Sequence, residues 1–120
     1  MSISYDIDKK KQLVTSRLSE VVTNEQVDDH NRTLRTDPDF DPGYRQLIDL
    51  TAITEIRITT PKVTAAARDQ YFTPGTRRAF VAPTDVTFGM ARMFAIHAEA
   101  NGQTIEVFRD RQEAEDWLWS

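Results

Sequence analysis

From Leu13 onward, segments with the period of a strand and segments with the period of a helix take turns along the chain without interruption. A strand that returns to the same sheet through a helix runs parallel to its predecessor, and such crossovers are almost always right-handed. The one tight link lies at the start. Ile3, Tyr5 and Ile7 alternate with Ser4, Asp6 and Asp8, and Lys9-Lys10-Lys11-Gln12 then turns the chain into a second strand from Leu13 to about Ser19. So short a connection makes that pair antiparallel.

The later elements follow from local signals. Thr23 and Gln26 have the spacing of a reciprocal helix cap, which predicts a first helix to about Arg35 with Val27 and Leu34 inward. Pro38 ends it, and Phe40 is the expected anchor of the loop that follows. Leu47-Ile48-Asp49-Leu50 reads as a strand buried on both faces. Thr60-Pro61 supplies a cap and a first-turn proline for a second helix to about Gln70. Arg78 to Ala82 is the next strand, stopped by Pro83. Thr84-Asp85 opens the longest helix, which Asn101-Gly102 closes. A last strand, Thr104 to Phe108, leads to a final helix capped by Asp110. No repeat or linker interrupts the pattern, so one domain over residues 1–120 is expected.

Five segments are shared in character with a known group: Asp37 to Gly43, Leu47 to Leu50, Arg78 to Pro83, Phe88 to Phe94, and Val107 to Asp110. With the order of elements, they resemble the small stand-alone bacterial SpoIIAA-like domains, which are related in fold to STAS domains and more loosely to CRAL-TRIO lipid-exchange domains. The resemblance implies an α/β fold: a mixed, mostly parallel sheet of about five strands with four helices and an N-terminal β-hairpin. About activity the resemblance says little; the expected role is a non-enzymatic protein-interaction or regulatory one, with small-ligand (anion or lipid-like) binding as the alternative. In the anti-sigma-factor antagonists of this fold a Ser in an Asp-Ser-Ser-Gly motif is phosphorylated at the start of the second helix. The corresponding stretch here, Arg57 to Pro61, keeps the hydroxyls Thr59 and Thr60 but lacks the Asp and the Gly. Thr60 is expected as the cap.

Composition narrows the partners. Lys and Arg number 15 against 19 Asp and Glu, a net charge of −4, which excludes a generally basic nucleic-acid binder. There is no cysteine, hence no disulfide framework, thiolate metal site or Cys nucleophile. No apolar run approaches the ~20 residues of a membrane span. The start at Met1 lacks the basic and apolar regions of a secretory signal, so the cytoplasm is the expected compartment.

The catalytic and metal inventory is thin. His30 follows Asp28-Asp29, but adjacent helical residues diverge and do not jointly surround a metal. His97 lies near the negative end of its helix. Asp37, Asp39 and Asp41 have the first three spacings of a calcium loop, yet Pro42 and Ile48 stand where a glycine and a bidentate Glu are needed. Four scattered glycines make no phosphate cradle, and Ser16 and Ser19 have no histidine nearby in sequence. No cofactor, metal or catalytic group is therefore assigned.

Two candidate surfaces remain. Open parallel sheets bind ligands beyond the carboxyl ends of their strands, an edge expected to carry Asp49, Thr51, Thr59, Thr60, Thr84, Asp85 and Arg109. Free amides at two helix starts would suit a small anion or a lipid head group there. The third helix is apolar around much of its circumference, with Phe88, Met90, Ala91, Met93 and Phe94 as candidate contacts and Gly89, Ala91, Ala95 and Ala98 small enough to admit another backbone. A homodimer through this helix is expected, with another protein as the further partner; the alternatives are a core helix within a monomer and an apolar cleft beneath the helix for a small ligand. Trp117 and Leu118 should pin the last helix, and Trp119 should lie in a crevice or at an interface.

Overall fold

The computed structural model describes residues 3–69 and 71–120. Its elements are β1 (Ile3–Asp8), β2 (Leu13–Thr23), α1 (Asn24–Arg35), β3 (Arg45–Arg57), α2 (Thr60–Arg68), β4 (Arg77–Val81), α3 (Asp85–Glu99), β5 (Thr104–Phe108) and α4 (Arg111–Leu118). They build one five-stranded sheet in the order β1-β2-β3-β4-β5. β1 is antiparallel to β2, and every later pair is parallel. The expected alternation and opening hairpin are thus present. At the hairpin tip the Asp8 carboxylate accepts from the amides of Lys10 and Lys11, and Gln12 takes the left-handed conformation (φ 57°).

Side chains alternate across the sheet, so its two faces are distinct. One face carries Ile48, Leu50, Phe80 and Ile105 under the buried alanines of α2 and α3. Val14 on the same face meets Leu34 of α1 together with Phe72. The opposite face carries Leu47, Ala79 and Val81 beneath Ala114 and Leu118 of α4. Three helices therefore cover one side and a single helix the other.

Several boundaries differ from the sequence expectation. β2 extends to Thr23 rather than Ser19, because Val21, Val22 and Thr23 continue to pair with Glu55, Ile56 and Arg57 of a still longer β3. The pairing slips twice on the way, and Glu20 absorbs one slip at φ 59°. Thr59, not Thr60, caps α2. Thr59 is extended and its Oγ1 accepts from the Lys62 amide, which moves Pro61 to the second helical position. The expected end of α2 at Gln70 lies outside the described residues. The reciprocal cap at Thr23 and Gln26 forms as expected, and Asp110 caps α4.

This cap assignment has a direct check. Thr59→Ala should cost about 1 kcal/mol in urea denaturation, whereas Thr60→Ala should cost a few tenths, since Thr60 is exposed and uses no side-chain bond to the helix amides. Equal losses would contradict the assignment.

On α3, Ala91, Ala95 and Ala98 are at most 1% exposed and lie against the chain's own sheet. The small residues expected to admit a second backbone instead let α3 approach β4 and β5. Phe88, Met90 and Phe94 are half-buried on the same core, and Met93 is half-buried too. Val86 and Ile96 are the apolar α3 side chains that face outward.

Candidate functional site

Parallel register sets polar residues among apolar ones on the three-helix face. Val14, Gln46, Arg78 and Ile105 form one row across β2 to β5, and Ser16, Ile48, Phe80 and Val107 form the next. Ser16, Gln46 and Arg78 thus converge although they lie far apart in the chain. They are 0%, 1% and 6% exposed. α1 lowers His30 and Asn31 onto them, the segment after α2 adds Tyr71 and Phe72, and the turn before β5 adds Gln103.

These groups form a continuous hydrogen-bonded relay. Arg78 donates from Nε to Gln46 Oε1 (3.0 Å) and from Nη1 to Gln103 Oε1 (3.1 Å). Gln103 Nε2 donates to the Phe72 carbonyl, and Gln46 Nε2 donates to Ser16 Oγ. Ser16 Oγ and His30 Nε2 stand 2.9 Å apart, and His30 Nδ1 lies 3.0 Å from Asn31 Oδ1. Because Asn31 Oδ1 also accepts from the Tyr71 hydroxyl, it serves as an acceptor toward both neighbours. His30 therefore carries its proton on Nδ1, and the Ser16 hydroxyl donates to Nε2. The Arg78 guanidinium is stacked against Phe72, 4.2 Å from the ring centre, with Phe94 at 5.9 Å.

Electrostatics follow from burial. Desolvation pulls Arg78 down to about 10, so it remains a cation at neutral pH. Desolvation holds His30 below its ordinary value of 6.5; the bond to Asn31 works the other way, and the charge of Arg78 adds to the lowering. Burial above all raises Tyr71 to about 12. The depressed imidazole has a consequence for stability. Below 6.5 the unfolded chain takes up a proton that folded His30 still refuses, so stability should fall with pH from 6.5 down to the depressed folded value and then level off. Urea midpoints between pH 8 and 5 should show this slope, and His30→Gln should flatten it; an unchanged slope in the variant would refute the assignment.

Beside the relay lies a pocket of about 100 Å³, walled by Leu18, Ile48, Leu50, Val63, Phe80 and Phe94 with the Ser16–Gln46–Arg78 group at one end. Outside it, α1 and α2 are laced together by Asn24, which donates to Thr59 Oγ1 and accepts from the Thr59 amide, by Lys62 with Asp28 (2.8 Å) and by Arg35 with Asp69 (2.9 Å). The groove along this seam shares Asn31, Lys62 and Ala66 with the pocket and marks its approach from solvent.

Of the residues singled out from sequence, Met90, Ala91 and Phe94 line the pocket and His30 stands in the relay, whereas the sheet-edge set lies elsewhere. Thr84 caps α3, and exposed Asp85 pairs with Arg109 at 2.9 Å. Arg109 also lies over Phe88 and donates to the Pro83 carbonyl. Thr59 is bonded to Asn24, and the Thr60 carbonyl to Thr64. Asp49 is occupied by Thr51 and Arg111. Strand order explains why no cleft gathers them: it runs straight from β1 to β5, and a crevice beyond the strand ends needs a point where the order reverses. Asp37, Asp39 and Asp41 are spread among Tyr5, Lys9 and loop amides. Trp117 packs on Phe108 at 5.8 Å, while Trp119 is 47% exposed beneath the Arg45 guanidinium.

Comparison with solved structures gives the fold a counterpart. An uncharacterised protein of the DUF3478 family with a SpoIIAA-like fold, from Shewanella loihica PV-4, superposes with a TM-score of 0.63 at 16% identity, over 98% of this chain and 94% of its own. The fold is therefore SpoIIAA-like, as the sequence resemblance implied. No family model and no curated protein matches the sequence. Among the described residues no helix is long and apolar enough to cross a membrane.

Proposed function

We propose that this SpoIIAA-like chain is a ligand-binding domain that holds a small molecule with an apolar body in the pocket beneath α1, α2 and α3. The supporting observation is the pocket itself: apolar walls, one polar end and an approach along the polar seam between two helices. A few convergent polar groups in a mostly apolar concavity are the usual makings of a small-molecule site. Binding rather than catalysis suits the chemistry, because Ser16 is fully buried in mid-strand and its hydroxyl is held from both sides by Gln46 and His30.

Thermal unfolding with benzene or 1-butanol tests the reading, since a ligand of the folded state raises the melting temperature. Wild type should shift, and Ala66→Leu, which fills the pocket from half-buried α2, should not. No shift with either compound at saturation would end the proposal. Exposed Val86 and Ile96 favour a second reading, contact of α3 with another copy or another protein. Sedimentation equilibrium at ~100 μM should then show a dimer; a monomer there removes self-association.

A further inference from the structure

Resting on that pocket, we propose that its occupant is a short-chain monocarboxylate whose head group sits on the Arg78 guanidinium. Arg78 is 6% exposed, and among the described residues no carboxylate forms an ion pair with it. A buried cation without a counter-ion is costly, and neutral amides from Gln46 and Gln103 satisfy its hydrogen bonds without neutralising its charge. Those bonds engage Nε and Nη1. Nη2 and the second hydrogen of Nη1 remain, a fork that matches the two oxygens of a carboxylate. Phe72 at 4.2 Å and Phe94 at 5.9 Å from the guanidinium carbon hold the group in place.

The surroundings agree in sign. The chain has 19 acidic residues and a net charge of −4, yet none of them lines this pocket, whereas Arg78 and Lys62 do. Lys62 is already paired with Asp28 at the seam. With His30, Tyr71, Ser16 and Asn31 neutral, the inner end offers one positive charge, which suits one negative charge. Size sets the tail. A cavity of 150 Å³ takes the six heavy atoms of benzene, so the 100 Å³ here has room for about four, the size of acetate, and the tail of propionate or butyrate extends toward the groove that shares Asn31, Lys62 and Ala66.

Titration calorimetry with sodium butyrate, 1-butanol, sodium octanoate and inorganic phosphate tests the assignment on the whole chain. Butyrate should bind about 10- to 100-fold tighter than 1-butanol, the usual value of a hydrogen-bonded charge, and tighter than octanoate or phosphate. Arg78→Lys keeps the charge but loses the fork, and should weaken butyrate about 10-fold or more while leaving 1-butanol unchanged. Should that variant fail to fold, carboxyl-labelled butyrate in wild type gives a second measurement. Its bound resonance should keep the position of the ionised form to lower pH than free butyrate does. Equal binding of butyrate and 1-butanol, a bound acid that protonates as readily as the free one, or preference for phosphate would overturn the carboxylate assignment and leave the pocket standing. Failure of butyrate, benzene and 1-butanol alike would overturn the pocket itself.

Discussion

Phe72→Ala is expected to lower the unfolding free energy by about 3–5 kcal/mol, the largest loss of any single substitution considered for this chain. Phe72 is 3% exposed, and its ring touches three partners of different kinds. Phe40 meets it edge-on at 5.2 Å and Tyr71 lies 4.9 Å away, while the Arg78 guanidinium rests on its face at 4.2 Å. Truncation would open a void against Val14 and Leu34 and strip a buried cation of its aromatic support. A protein of this size has about 5–15 kcal/mol in total, so the variant should stand close to the edge of folding. Urea denaturation with an unchanged m-value is the appropriate measurement. A loss under about 1 kcal/mol would show that Phe72 is not the keystone the geometry makes it.

Gln46→Leu should cost about 2–4 kcal/mol for a different reason. Its side-chain amide joins two buried groups, accepting from Arg78 Nε and donating to Ser16 Oγ. Leucine fits the volume but answers neither, and a charged donor left without an acceptor carries a heavier penalty than a neutral one. The test lies in the pairing with Arg78→Met. If the relay acts as a unit, the double variant should be more stable than the sum of the single losses by about 1–3 kcal/mol, because neither pole is then left behind. Additivity within about 0.3 kcal/mol would mean the groups are independent neighbours.

The backbone was legible because its signals are local. Alternating polarity in Ile3 to Asp8, the Thr23–Gln26 cap, Gly102 in the left-handed conformation after α3 and the Asp110 cap each act within a few residues. Errors arose where two local signals competed. Thr59 and Thr60 are equally good caps by type, and only the bond to Asn24, 35 residues away, favours the first. Val21 and Val22 could belong to a strand or to the lead-in of a helix, and the length of β3 decided between them.

The apolar cleft under α3 was one of the sequence alternatives, but its polar end was illegible for the converse reason. Ser16 and His30 are 14 residues apart, and Gln46 stands 32 residues before Arg78, so only register and helix placement bring them together. One signal was available: Ser16 occupies an inward position between Val14 and Leu18, and Arg78 shares the inward side of its strand with Phe80. A polar side chain at a core position of a strand demands partners from elsewhere in the chain. On α3 the alanine stripe was read correctly as a place of close approach, but composition does not say whether the visitor is foreign or the chain's own sheet.

The straight strand order has a consequence for biosynthesis. Each strand after the first finds its hydrogen-bonding neighbour already laid down when it leaves the ribosome, so the sheet can lengthen from one edge as synthesis proceeds. Ser16, His30 and Gln46 all precede Arg78 in synthesis. The cation thus meets its Gln46 acceptor on an earlier strand, and Gln103, its second acceptor, follows with the turn before β5.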